Sequence, residues 1–186
     1  MRTTHTHSYN ASMRIHLLWA LAALLAACSA DQNWRQVNFD GTNLKAQLPC
    51  KPDRTTREVP LGGVPVQLSV AGCESGDAVV AVMTAALAPG ADAQALLQGW
   101  QQATLANLQA SQPEQVQAWQ RAGFMSLGAA QRVTAQGQRT DGQAVTAQAV
   151  WGAYPEGGHV RVVHAVVYAS KPQPQIAQAL FDGLQP

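Results

Sequence analysis

Charge is scarce in this chain. Only 12% of its 186 residues are Asp, Glu, Lys or Arg, and 12 basic residues nearly balance 11 acidic ones, for a formal net charge of +1. So sparse and balanced a charge leaves no footprint for nucleic acid or for an anionic lipid surface, and no nucleic-acid partner is expected. Histidine is scarce too. His5, His7 and His16 lie before residue 28, so His159 and His164 stand alone in the remainder. Five positions apart in a strand, those two point to opposite faces and cannot share a metal without a bend. Beyond residue 28 only two Cys remain, with no nearby His, too few for a zinc set, so neither a metal nor any other cofactor is expected. No nucleophile elbow, H-E-x-x-H, Walker or dinucleotide-binding motif occurs in a supporting context, and the expectation is a protein that is not an enzyme. No apolar run approaches the ~20 residues that a transmembrane helix needs. No repeat at a fixed period is present.

The longest apolar run covers residues 15–27, interrupted only by His16 and preceded by Met13-Arg14. A positive start, a short apolar stretch and small residues at its end describe an export signal. The stretch closes on Leu25-Ala26-Ala27-Cys28, which resembles a bacterial lipobox: Leu, two small residues, then Cys. That resemblance implies cleavage between Ala27 and Cys28, a diacylglyceryl group on the Cys28 sulfur, and acylation of the new amine. Several acyl chains hold a protein far more firmly than one, at ~0.8 kcal/mol per buried methylene. Residues 1–27 are thus read as a signal peptide, with Met13 as an alternative start, and residues 28–33 as a lipidated tether. The other reading is an ordinary secretory signal with a chance Cys. Ser29 stands where an Asp would favour retention in the inner membrane, so the resemblance implies the periplasmic face of the outer membrane. Arg2 and Arg14 both precede Cys28, so a processed chain would carry 10 basic and 11 acidic residues and a formal charge of −1.

Beyond Cys28 only Cys50 and Cys73 remain. An even pair in an oxidising compartment is expected to form a disulfide. Closing a loop of this length contributes ~3 kcal/mol by loss of chain entropy in the unfolded state. Two free thiols or two metal ligands are the other readings.

Residues 34–186 read as one domain. Residues 34–39 and 44–48 form a hairpin across Asp40-Gly41. Residues 54–60 are polar and extended. Gly62-Gly63 turns into residues 64–71, where Val64, Val66, Leu68 and Val70 alternate with smaller or polar side chains. Residues 79–87 are nearly all apolar, as expected of a strand covered on both faces. The period then changes. Asp92 is placed to cap a helix running to about Ala110, with Leu96, Leu97, Trp100, Leu105 and Leu108 on one stripe. Residues 116–128 are ambiguous and carry Trp119 and Phe124. Residues 131–140 and 144–154 flank Asp141-Gly142, a hairpin signal, and residues 159–170 form a central strand that is apolar on both faces. Pro172 and Pro174 precede a closing helix over about 175–184. The fold class is therefore α+β: a mainly antiparallel sheet of about six or seven strands flanked by two helices.

The order of elements, the stop Leu48-Pro49-Cys50-Lys51-Pro52 and the terminal Ala179-Leu180-Phe181-Asp182-Gly183-Leu184 together resemble the PsbP-like α/β/α sandwich and small exported bacterial proteins that share it. The resemblance implies architecture and no activity. Two functions are carried forward. The first is a membrane-anchored envelope lipoprotein acting as a binding or accessory module, with the membrane and an envelope protein as partners. Trp119 and Phe124 are its candidate interface, unless they simply lid the core. The alternative is a small hydrolase-like enzyme centred on His164, which requires a carboxylate to orient the ring. Otherwise His164 is a neutral core residue bonded to backbone.

Overall fold

The computed structural model describes residues 32–186, Gly62 and Ser111 excepted. Leu25-Ala26-Ala27-Cys28, the rest of the export segment and most of the tether lie outside the described residues.

Asp40-Gly41 turns the chain between β1 (Arg35–Asn38) and β2 (Lys45–Leu48). Gly41 has φ +70°, a backbone region that glycine enters without penalty. These strands form their own two-stranded sheet. Seven further strands make the main sheet: β3 (Asp53–Leu61), β4 (Val64–Ser75), β5 (Ala78–Ala86), β6 (Gln115–Ala118), β7 (Gln131–Gln138), β8 (Ala144–Glu156) and β9 (His159–Ala169). Their spatial order is β3-β4-β5-β9-β8-β7-β6, and every neighbouring pair is antiparallel. With two helices, α1 (Ala93–Asn107) and α2 (Pro174–Asp182), the chain is α+β, and its main sheet has the expected number of strands.

The membership of that sheet differs from the reading of the sequence. Residues 53–61 are a full nine-residue strand at the edge, and the β1–β2 hairpin lies outside the main sheet. β3 escapes the pattern because its first six residues are exposed. Charged side chains and a Pro at an outer edge discourage pairing with another chain.

The central strands β8 and β9 are buried on both faces. Each face feeds its own core. On one side the β1–β2 hairpin and α2 pack over Val80, Val82, Val163, Ala165 and Val167. On the other, α1 packs over Ala147, Ala149, Trp151, Val162 and Val166. Cys50 and Cys73 form the disulfide, with Cα atoms 5.9 Å apart, and so tie the segment after β2 to β4.

Local chemistry sets the helix ends. The Asp92 carboxylate accepts from the Ala95 N–H at 3.1 Å, the expected cap of α1. The helix stops at Asn107, short of the expected Ala110. Gln109 turns to φ +53°, and the Ala110 N–H reaches back to the Leu105 carbonyl. The Leu108 carbonyl then accepts from the Gln138 N–H on β7 at 2.7 Å. Gly137 permits this contact, since a Cβ there would lie 2.2 Å from the Leu108 oxygen. α2 begins with Pro174 at its first turn, and the Gln148 side chain on β8 accepts the Gln173 N–H at 2.6 Å. Among the described residues, no helix is long and apolar enough to cross a membrane.

Candidate functional site, a cleft beneath the first helix

α1 does not cover its face of the sheet evenly. It packs on β8, β9 and β3 and leaves a cleft of about 610 Å³ lined in part by β3, β4 and β5. The size falls in the usual range for small-molecule sites, roughly 300–1,000 Å³. Strand periodicity builds the floor. Arg57, Val59 and Leu61 alternate with Glu58 and Pro60, so they share one face of β3, and Leu68 is the register partner of Arg57 on β4. Met83 on β5 lies opposite His164 on β9. Trp100 and Leu108 from α1 close the wall, and Tyr168 and Val145 complete an apolar lining.

The mouth is polar and of one sign. Among the described residues, Arg57 and Arg139 are the charged ones lining the cleft, and no carboxylate lines it. Arg57 is exposed and Arg139 half-buried. The ion pairs among the described residues are Arg121–Asp182 and Arg161–Glu156, so neither cleft arginine is neutralised by one. Asn107, Gln138 and Thr140 add further hydrogen-bonding groups at the rim.

His164 sits at the base of this lining, in an aromatic pile. Its ring stacks on Trp151, with centroids 4.3 Å apart and planes 5° from parallel, and meets the edge of Trp100 at 5.3 Å. Nδ1 lies 3.1 Å from the Val150 carbonyl oxygen. A carbonyl can only accept, so Nδ1 carries the proton and donates. Burial pushes the ring's pKa from 6.5 down to about 4, against a smaller opposing effect of that hydrogen bond. The ring is therefore neutral near pH 7. Among the described residues no carboxylate orients it, and a base so far below neutral pH is poorly matched to proton transfer there. Trp151 Nε1 is a buried nitrogen without a partner among the described residues.

The other sequence candidates lie elsewhere. His159 is exposed, at the start of β9. Trp119 is 9% exposed and belongs to the core on the opposite face. Phe124 packs against it edge-on at 4.8 Å and against Tyr154 at 5.6 Å. Both rings fill the space over Gly152, where a Cβ would meet Trp119 at 2.5 Å. Core packing accounts for their placement. Asp92, Asp141 and Asp77 serve structure: Asp92 caps α1, Asp141 accepts from the Gln143 N–H, and Asp77 accepts from the Ser170 hydroxyl. Among the described residues, no three His, Cys, Asp or Glu side chains gather as a metal site.

Sequence pattern alone does not announce Arg57 or Arg139. Arg57 lay in a polar stretch and Arg139 beside a turn, where a charged residue normally faces water. The available signal was Arg57-x-Val59-x-Leu61, which places a cation on the apolar face of a strand. No protein-family model and no curated protein matches this sequence.

Proposed function

We propose that this chain is a lipid-anchored protein of the bacterial envelope whose folded unit is a non-catalytic binding module, with the cleft beneath α1 as its site. The cleft carries the binding half of this reading. An apolar pocket with a few polar groups converging at its mouth is the ordinary form of a small-molecule site.

The location half rests on the apolar run 15–27 ending in Leu25-Ala26-Ala27-Cys28. The Cys50–Cys73 disulfide supports it, because such bonds persist in oxidising compartments outside the cytosol. Cys28 is the proposed lipid attachment site, cleavage falls between Ala27 and Cys28, and Ser29 favours the outer membrane. The order of elements supports kinship with the PsbP-like α/β/α group. That kinship carries no activity to this chain.

Fractionation of cells making the full chain tests the anchor. The protein is expected in the membrane fraction and to incorporate labelled palmitate. Cys28→Ala is expected to abolish the label and release the protein from membranes. Unchanged membrane association of Cys28→Ala without acyl label overturns the lipid-anchor reading.

A further inference from the structure

We propose that the cleft beneath α1 binds a single-chain amphiphile with a carboxylate head, the chain lying on the apolar floor and the head held by Arg57 and Arg139. This rests on the reading of the cleft as a binding site and adds the chemical class of its ligand.

Three observations carry it. The floor is apolar and incompletely covered: Val59, Met83 and Tyr168 line the cleft and are only half-buried although they pack with the core on this face. Such surface is stabilised by an apolar occupant, at roughly 25 cal/mol per Å² removed from water. The charge at the mouth is all positive, comes from two separate elements, and has no carboxylate among the lining residues. A guanidinium beside an apolar wall is matched by a planar anion, which accepts two parallel hydrogen bonds. The volume, about 610 Å³, suits one drug-sized molecule and so one chain rather than a two-chain phospholipid. A bulky polar anion would leave the Leu68–Met83 floor bare, and a neutral apolar molecule would leave both guanidiniums without a counter-charge. The carboxylate amphiphile satisfies both ends.

Photo-crosslinking tests this with the full chain in membranes from cells that make it. The probes are a diazirine-bearing long-chain carboxylate, the corresponding long-chain alcohol, and a lysophosphatidylglycerol with the same acyl chain. Adducts are mapped by mass spectrometry. The carboxylate is expected to label peptides containing Met83, Trp100 or Tyr168, and unlabelled dodecanoate should compete. Arg57→Gln with Arg139→Gln should reduce this labelling by about 10-fold or more, the loss expected for charge-assisted hydrogen bonds. An unchanged circular dichroism melt shows that the variant is folded. Should Arg139→Gln impair folding, Arg57→Gln alone is expected to reduce labelling several-fold.

Equal labelling by the alcohol, or labelling indifferent to the arginines, overturns the carboxylate head while leaving a binding cleft. Preferential labelling by the lysophospholipid overturns the carboxylate in favour of a phosphate-headed chain. Adducts scattered over the surface, with none enriched in the cleft for any probe, overturn the amphiphile altogether. Palmitate labelling of Cys28 is read separately, so loss of the anchor and loss of the ligand are distinguishable.

Discussion

His164 shows how much a single buried titratable group can decide. Its ring is 1% exposed and pressed between Trp151 and Trp100. The unfolded chain releases the proton near 6.5, but the folded chain only near 4. Because the folded pKa is the lower one, the folded state holds fewer protons between these values. The stability that this site contributes is therefore complete above pH 6.5 and is lost as pH falls toward 4. A depression of this size corresponds to roughly 3 kcal/mol. Equilibrium denaturation should show stability falling by about that amount from pH 6.5 to 4. His164→Phe should flatten this segment of the profile, and an equally steep fall in that variant would assign the protons elsewhere. Glu156 acts further down the scale. Burial opposes its ionisation, but the Asn43 N–H, the Thr42 hydroxyl and Arg161 outweigh burial and hold its pKa below 4.5. Its contribution is likewise lost as pH falls below 4.5, so its loss begins later in acidification than that of His164.

At the scale of elements, the join between α1 and β7 controls the cleft. The last turn of the helix supplies Asn107 and Leu108 to the lining and is pinned by the Gln138–Leu108 hydrogen bond. Gly137→Ala would drive a Cβ to 2.2 Å from the Leu108 oxygen, a backbone atom with little room to move. Overpacking of this kind typically costs about 1–3 kcal/mol. A lower melting temperature and weakened ligand labelling are expected together, and an unshifted melt would show that the helix end is free to give.

Much at this scale was legible in the sequence. Asp40-Gly41 and Asp141-Gly142 marked hairpins because few residues other than Gly take the required backbone, and both glycines have positive φ. Asp92 marked the start of α1, and the two-sided apolar pattern of residues 159–170 marked a central strand. β3 was legible only as a polar, extended stretch, since six consecutive exposed residues leave its alternation to Val59 and Leu61 alone. The end of α1 was not legible, because Gln109 adopts a left-handed backbone that its residue type does not announce. The cleft depended on both. Its arginines became visible only when β3 folded up beside the helix.

At the scale of the whole molecule, two faces of one sheet have different occupants. The hairpin and α2 seal one face, helped by Arg121, whose Nε donates to the Leu184 carbonyl at 2.8 Å. α1 covers the other face incompletely and leaves the cleft. The sealed side contributes packing, and the open side is the site proposed for the amphiphile. The disulfide ties the segment after β2 covalently to β4.

The lipid anchor is the central claim of the proposed function, and mass spectrometry of the protein purified from membranes addresses it most directly. The expected chain begins at Cys28 and carries a diacylglyceryl thioether and an acylated amine. A chain that retains residues 1–27, or one that begins at Cys28 with an unmodified sulfur, would contradict it.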